Sequence, residues 1–174
     1  MDTVSLSRQH SSVAVKEWGK MNIDTYLYVG TYNVPILMGT GEIYQGKGNG
    51  VHIFGMNSTT GEVCSIGVKE DIENTSYLTV DSKGKYLYAV NELDFFQGKP
   101  GGAVTALKIK EDGSLVQINQ ESSGGRAPCW LELDEDRGRL AVANYTSGSF
   151  GIYRLQEDGS LSPLERLIQH EGHG

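Results

Sequence analysis

The 174-residue chain has room for one ordinary domain, and its 38% hydrophobic content suffices for a globular core, which excludes disorder over the whole length. Twenty-three glycines against four prolines, with nine tyrosines, suit short strands joined by tight turns rather than helices, in which interior glycine costs roughly 1 kcal/mol relative to alanine. A net charge of −7 excludes the basic footprint that non-specific binding to nucleic acid or to anionic membranes requires.

Residues 1–22 are polar, mixed in charge and without steady periodicity, which predicts a disordered tail; Met21 offers a second possible start just ahead of the first clear strand. No run approaches the ~18 apolar residues of a membrane helix, and the N-terminus lacks the apolar segment of a signal peptide, so the expected location is the cytoplasm. Cys64 and Cys129 are too few and too far apart for a disulfide framework or a zinc site, and are expected to be buried free thiols.

From Tyr26 onward the chain repeats itself. Tyr26-Leu-Tyr-Val-Gly, Tyr86-Leu-Tyr-Ala-Val-Asn and Leu140-Ala-Val-Ala-Asn are equivalent strands, strongly β-prone and nearly free of charge. Each leads, after a loop of variable length, to a second apolar strand entered through glycine, at Gly50-Val-His-Ile-Phe, Gly102-Ala-Val-Thr-Ala-Leu and Gly148-Ser-Phe-Gly-Ile-Tyr. A turn rich in Asp, Gly, Ser and Thr follows, as in Glu111-Asp-Gly-Ser-Leu and Glu157-Asp-Gly-Ser-Leu, and a last strand leaves it. The second and third units also have a leading strand and hairpin, Tyr77-Leu-Thr-Val-Asp and Trp130-Leu-Glu-Leu-Asp.

Four strands per unit at a spacing of roughly 45–60 residues predict an all-β fold, a β-propeller of roughly two and a half to three four-stranded antiparallel blades. The expected domain is 23–174, with blade 1 at about 26–70 lacking its inner strand, blade 2 at about 75–121 and blade 3 at about 127–168. Such an arc leaves apolar blade faces open to water, so the chain reads as a fragment or as a part that self-associates through those faces.

The run Ala127-Pro-Cys-Trp-Leu-Glu-Leu-Asp-Glu-Asp-Arg-Gly-Arg-Leu-Ala-Val-Ala-Asn-Tyr-Thr-Ser-Gly-Ser, followed by Glu157-Asp-Gly-Ser-Leu and Gln169-His170-Glu-Gly, resembles the seven-bladed lactonase family that includes 6-phosphogluconolactonases and carboxymuconate lactonizing enzymes. The resemblance covers Tyr26 to Gly174. It implies a carboxylic ester hydrolase that opens a sugar-acid lactone, 6-phosphogluconolactone in the pentose phosphate pathway, with no metal and no organic cofactor. Family members commonly continue past His-Glu-Gly into Arg-Gln and Pro-His-x-His segments, so this chain is expected to be inactive alone. The alternative is a non-catalytic propeller fragment serving as a binding or interaction module, since propellers host many unrelated functions.

Lactone hydrolysis needs a base for water, donors for the developing oxyanion and, with a phosphorylated substrate, a cation. Glu92 stands where a strand empties into a rim loop; it is either a base or substrate-orienting carboxylate, or a solvated loop residue. Asn144 and Tyr145 occupy the equivalent place one blade on, as donors to a sugar or an oxyanion, although Asn is also a favoured turn former. His170 matches the family's His-Glu-Gly and suits acid or base work near neutrality, or else it packs as a strand-end residue. Arg126 is the candidate phosphate or carboxylate holder, with a plain loop arginine the equal alternative. His170 and His173 do not amount to a metal site. Gly46-Lys-Gly-Asn-Gly precedes a strand and is read as a blade loop rather than a phosphate cradle.

Overall fold

The computed structural model describes residues 3–8 and 21–172. Three antiparallel four-stranded sheets follow one another, and none of them closes into a ring. The first contains β1 (Thr3–Arg8), β2 (Thr25–Gly30), β5 (Val51–Met56) and β6 (Val63–Lys69), with the hairpin of β3 (Ile36–Leu37) and β4 (Ile43–Tyr44) inserted between β2 and β5. The second contains β7 (Thr75–Val80), β8 (Tyr86–Asn91), β11 (Ala103–Ile109) and β12 (Leu115–Ser122), with the hairpin of β9 (Phe95–Phe96) and β10 (Lys99–Pro100) between β8 and β11. The third runs β13 (Pro128–Asp134), β14 (Arg139–Asn144), β15 (Ser149–Arg154) and β16 (Arg166–Gln169). β7 packs beside β1 on one side and β13 on the other, so the innermost strands of the three blades line up around one axis.

The N-terminal stretch departs from the expected disordered tail and from a first blade lacking its inner strand. Thr3–Arg8 is that inner strand, antiparallel to β2 with Thr3 opposite Gly30 and Arg8 opposite Thr25. Thr3-Val-Ser-Leu-Ser-Arg does alternate polar and apolar residues, but six residues at period two are a weak signal within a polar stretch. Residues 1–2 and 9–20 of the expected tail, with His10, and also His173, lie outside the described residues.

The middle sheet is buried on both faces because strand alternation sends its side chains into two separate cores. Leu87 and Ala89 of β8 join Tyr28, Val51, Ile53 and Leu107 between the first and second blades. Tyr88 and Val90 join Val104, Leu131, Leu140, Val142 and Tyr153 between the second and third. β2 and β14, each covered on one face, alternate buried and half-buried residues instead.

Each Tyr-Leu-Tyr strand is stitched to the Asp-Gly turn of the next blade. Tyr26 and Tyr28 donate their hydroxyls to the carbonyls of Glu111 (3.1 Å) and Gly113 (3.0 Å), and Tyr88 donates to Gly159 (3.0 Å). Gly113 and Gly159 have φ of 79° and 84°, and a Cβ on either would lie 2.6 Å from the Tyr26 ring or 2.3 Å from the Tyr86 ring. Only glycine satisfies both the turn and the close approach of the ring. Two side-chain clamps add to the second junction: Glu135 accepts from the Ser82 N–H and hydroxyl (2.7 and 2.8 Å), and the Asn119 amide exchanges hydrogen bonds with the backbone of Leu161 (2.8 and 3.0 Å).

Removing a buried stitch in Tyr28→Phe or Tyr88→Phe should lower unfolding free energy by about 1–2 kcal/mol, read from urea midpoints. Gly159→Ala should cost more, about 3 kcal/mol, because it brings both the positive φ and the ring clash. Burial raises the phenols of Tyr28, Tyr88 and Tyr153 above their ordinary value of 10.0. Above that pH the unfolded chain binds fewer protons than the folded one, so this contribution is complete below pH 10 and declines as pH rises further. Urea midpoints should therefore fall between about pH 9 and pH 12, less steeply in the double variant Tyr28→Phe/Tyr88→Phe.

Candidate functional site

The rim at which β2, β8 and β14 end, and β7 and β13 begin, gathers the chemistry-bearing side chains. Two devices build it. The inner strands β7 and β13 carry β-bulges at the same place, between Thr75 and Tyr77 and between Pro128 and Trp130, which leave Ser76 and Cys129 as the extra residues. A bulge re-aims one side chain out of the alternating pattern. The residue before each bulge has left-handed backbone, φ 40° at Asn74 and 52° at Ala127, and its carbonyl accepts the N–H of the first residue beyond the second strand, Glu92 (2.9 Å) or Tyr145 (2.9 Å).

Glu92 is half-buried and its carboxylate accepts a 2.6 Å hydrogen bond from the Tyr32 hydroxyl, a bond that crosses from the first blade to the second. That length is typical of a hydroxyl donating to a charged oxygen. Burial, and then the hydrogen bond to Glu92, raise the Tyr32 phenol above its usual range, while Ser76 acts on the same hydroxyl in the opposite direction. Ser76 in turn donates to the Pro128 carbonyl (3.3 Å). The Cys129 thiol is also raised, first by its partial withdrawal from water and then by the Glu92 charge, with the Tyr145 N–H opposing. Expected in the interior, Cys129 is instead exposed at this mouth, because the bulge turns it out of the core alternation; Cys64 is half-buried.

The remaining candidates separate. Asn144 is 1% exposed, and its amide nitrogen donates to the Ser123 carbonyl (3.0 Å) and the Ser149 hydroxyl (3.3 Å). It is an interior residue at the last strand position, the counterpart of buried Asn91. Tyr145, one residue on, is 79% exposed at the mouth. Arg126 is exposed beside Ala127, anchored through its N–H to the Ser147 hydroxyl (2.7 Å), and its guanidinium makes no ion pair among the described residues. His170 follows β16, the outermost strand of the third sheet; its N–H donates to the Gly148 carbonyl (3.0 Å) and its ring lies against Phe150 (5.7 Å between centroids). Glu92, Tyr145 and Arg126 thus share the rim, whereas His170 approaches it from the outer strand, in contact with Phe150 rather than Glu92.

Reading the sequence for strands missed Tyr32, Ser76 and Cys129. For the last two a signal exists: aligning Tyr77-Leu-Thr-Val-Asp with Trp130-Leu-Glu-Leu-Asp puts Ser76 and Cys129 at one position. Tyr32 lies 60 residues from its partner and has no such marker. A groove of about 240 Å³ lies at the other rim, lined by Asp81, Tyr86, Glu135 and Glu157 among others. It is roughly 20 Å from Glu92 along β8 and shares none of these residues.

Residues 26–174 match the model of the family described as "Lactonase, 7-bladed beta-propeller". The 6-phosphogluconolactonase of Formosa agariphila is 34% identical over 128 residues, covering 73% of this chain and 35% of that protein. The 6-phosphogluconolactonase of Bacillus subtilis is 27% identical over 148 residues, covering 84% and 38%. The solved structure of a periplasmic gluconolactonase from Pseudomonas aeruginosa superposes with a TM-score of 0.68 at 28% identity, over 83% of this chain and 38% of that one. The chain therefore spans about a third of the length of the curated relatives it matches. With a repeat of four-stranded blades, the bulged inner strands and a family match across nearly all of the propeller, the chain belongs to the seven-bladed lactonase family.

Proposed function

We propose that these three blades carry one side of the active site of a lactone hydrolase, a 6-phosphogluconolactonase of the pentose phosphate pathway acting in the cytoplasm. The observation that carries the reading is the Tyr32–Glu92 pair at the mouth of a lactonase-family propeller. Glu92 takes a proton from the attacking water as its oxygen bonds to the lactone carbonyl carbon; the ring C–O bond then breaks and the released alkoxide takes up a proton. Tyr32 orients the carboxylate, exposed Tyr145 donates to the sugar or to the developing oxyanion, and Arg126 holds the phosphate. His170 is the candidate proton donor to the leaving oxygen, approaching the rim from the end of β16. Asn144 stands just inside the mouth, its amide nitrogen donating to Ser123 and Ser149.

A second reading, a propeller segment that binds a partner or a second copy through its open faces, is favoured by the exposed apolar tips of the two rim hairpins, Leu37, Met38, Ile43 and Phe95.

The test replaces the matching blades of the Formosa agariphila relative with residues 26–172 of this chain. The chimera should hydrolyse 6-phosphogluconolactone in a pH-stat, and Glu92→Gln within it should lower kcat about 100-fold with little change in KM. A Glu92→Gln chimera as fast as its parent would remove Glu92 from the chemistry. The 174-residue chain alone should open the lactone no faster than buffer, and enzyme-like turnover by its monomer would overturn the assignment of only part of a site to it.

A further inference from the structure

Tyr32 and Glu92 lie in the loops that follow strands of two different sheets, so no strand ladder sets the distance between them. Asn74, fully buried at the start of the second blade, is bonded to both segments. Its side-chain oxygen accepts the N–H groups of Asn33 and Val34 (3.0 Å each), and its own N–H donates to the Asn33 side chain (2.8 Å). Its side-chain nitrogen donates to the Glu92 carbonyl (3.1 Å), and its carbonyl accepts the Glu92 N–H (2.9 Å). Asn33 completes the clasp by donating its amide to the Ile72 carbonyl (3.0 Å). One side chain therefore ties the residues that follow Tyr32 to the backbone of Glu92 itself. Asn also tolerates the left-handed conformation, φ 40°, that this position needs.

The next blade supplies an internal comparison. Ala127 has the same backbone bend and the same carbonyl bond to the following rim residue, but no side chain to clasp with, and the counterpart of Asn33 in register with the Tyr-Leu-Tyr strands is Leu93, which has no side-chain amide. There the rim residue, Tyr145, stands 79% exposed. The backbone bend alone leaves a rim side chain in solvent; the bend plus the asparagine clasp accompanies a fixed pair.

We propose that Asn74 is a positioning residue of this site, holding Tyr32 and Glu92 at hydrogen-bonding distance by binding both of their segments to one buried amide. The inference deepens the lactonase reading, but its test reads the pair directly and does not depend on turnover. In the 174-residue chain, the side-chain carboxyl carbon of Glu92 is followed by 13C NMR at neutral pH with and without Tyr32→Phe. In the parent, Tyr32→Phe should shift that resonance, reporting loss of the hydrogen bond. In Asn74→Gly, which keeps the positive φ accessible but removes the amide, Tyr32→Phe should leave the Glu92 resonance where it was. Asn33→Ala, which cuts the clasp from the loop side, serves as the second background should Asn74→Gly not fold, and the same loss of coupling is expected there. Persistence of the full Tyr32-dependent shift in a folded background lacking either asparagine would overturn the proposal. Failure of the lactonase reading would appear separately, as an inactive parent chimera or a Glu92→Gln chimera that retains its rate.

Discussion

Blade-to-blade stitching is the constraint from which the rest of the molecule follows. A propeller blade has no covalent reason to stand at a given angle to its neighbour, and apolar packing alone tolerates sliding. The Tyr28 and Tyr88 hydroxyls, bonded to the carbonyls of Gly113 and Gly159, provide direction, and the tyrosine rings lying on those glycine turns provide distance. With both fixed, β8 is sandwiched and its alternate residues fill two cores, which is why it is nearly all apolar and uncharged. The third blade marks the contrast. Strand register puts Arg139 and Ala141 where the earlier blades have the two tyrosines, and Arg139 pairs with Glu165 of its own blade (2.8 Å), as does Arg154 (2.8 Å).

Much of this was legible in the sequence because the repeat states each rule more than once. Tyr-Leu-Tyr followed by Asp-Gly-Ser-Leu identified strands, turns and fold class, since each element has a physical requirement that few residue types meet. Strand β1 was not legible: it repeats nothing, and its six residues acquire their structure from the exposed edge of β2 rather than from their own pattern. The equivalence of Asn144 with the second blade was also readable, but not its depth. Asn91 and Asn144 end their strands inside the blade, and the mouth begins one residue later, so Glu92 and Tyr145 emerge while the asparagines do not. The Tyr32–Glu92 pair was beyond reach for a different reason, because a contact between two loops of unlike length depends on the angle between blades.

The three connections at the functional rim differ in a way that shapes the mouth. Residues 31–50 and 92–102 each hold a short hairpin, while the third blade turns in residues 145–148. The Leu37 N–H bonded to Asp94 and the Tyr32 hydroxyl bonded to Glu92 join the first two connections into one wall, with the Tyr44 ring set edge-on to Tyr32 (5.9 Å). Opposite stands a low sill with Tyr145 and Arg126 exposed. Rigid blades with variable rim loops are the usual division of labour in such folds, and here the loops carry the side chains assigned to substrate and the carboxylate's partner Tyr32 as well.

That division makes site geometry depend on packing some distance away. The stitches at Gly113 and Gly159 lie at the rim opposite Glu92, with the full length of the strands between. Because Tyr32 comes from the first blade and Glu92 from the second, rotation at the Gly113 stitch between those two blades would open or close the pair at the other end, as a scissor joint would. The clasp at Asn74 is short and local, so it resists such motion only for the residues it touches. Stability and chemistry are thus coupled through the angle between the first two blades: the Tyr26 and Tyr28 stitches set it, and the asparagine clasp keeps the carboxylate aligned within what they allow.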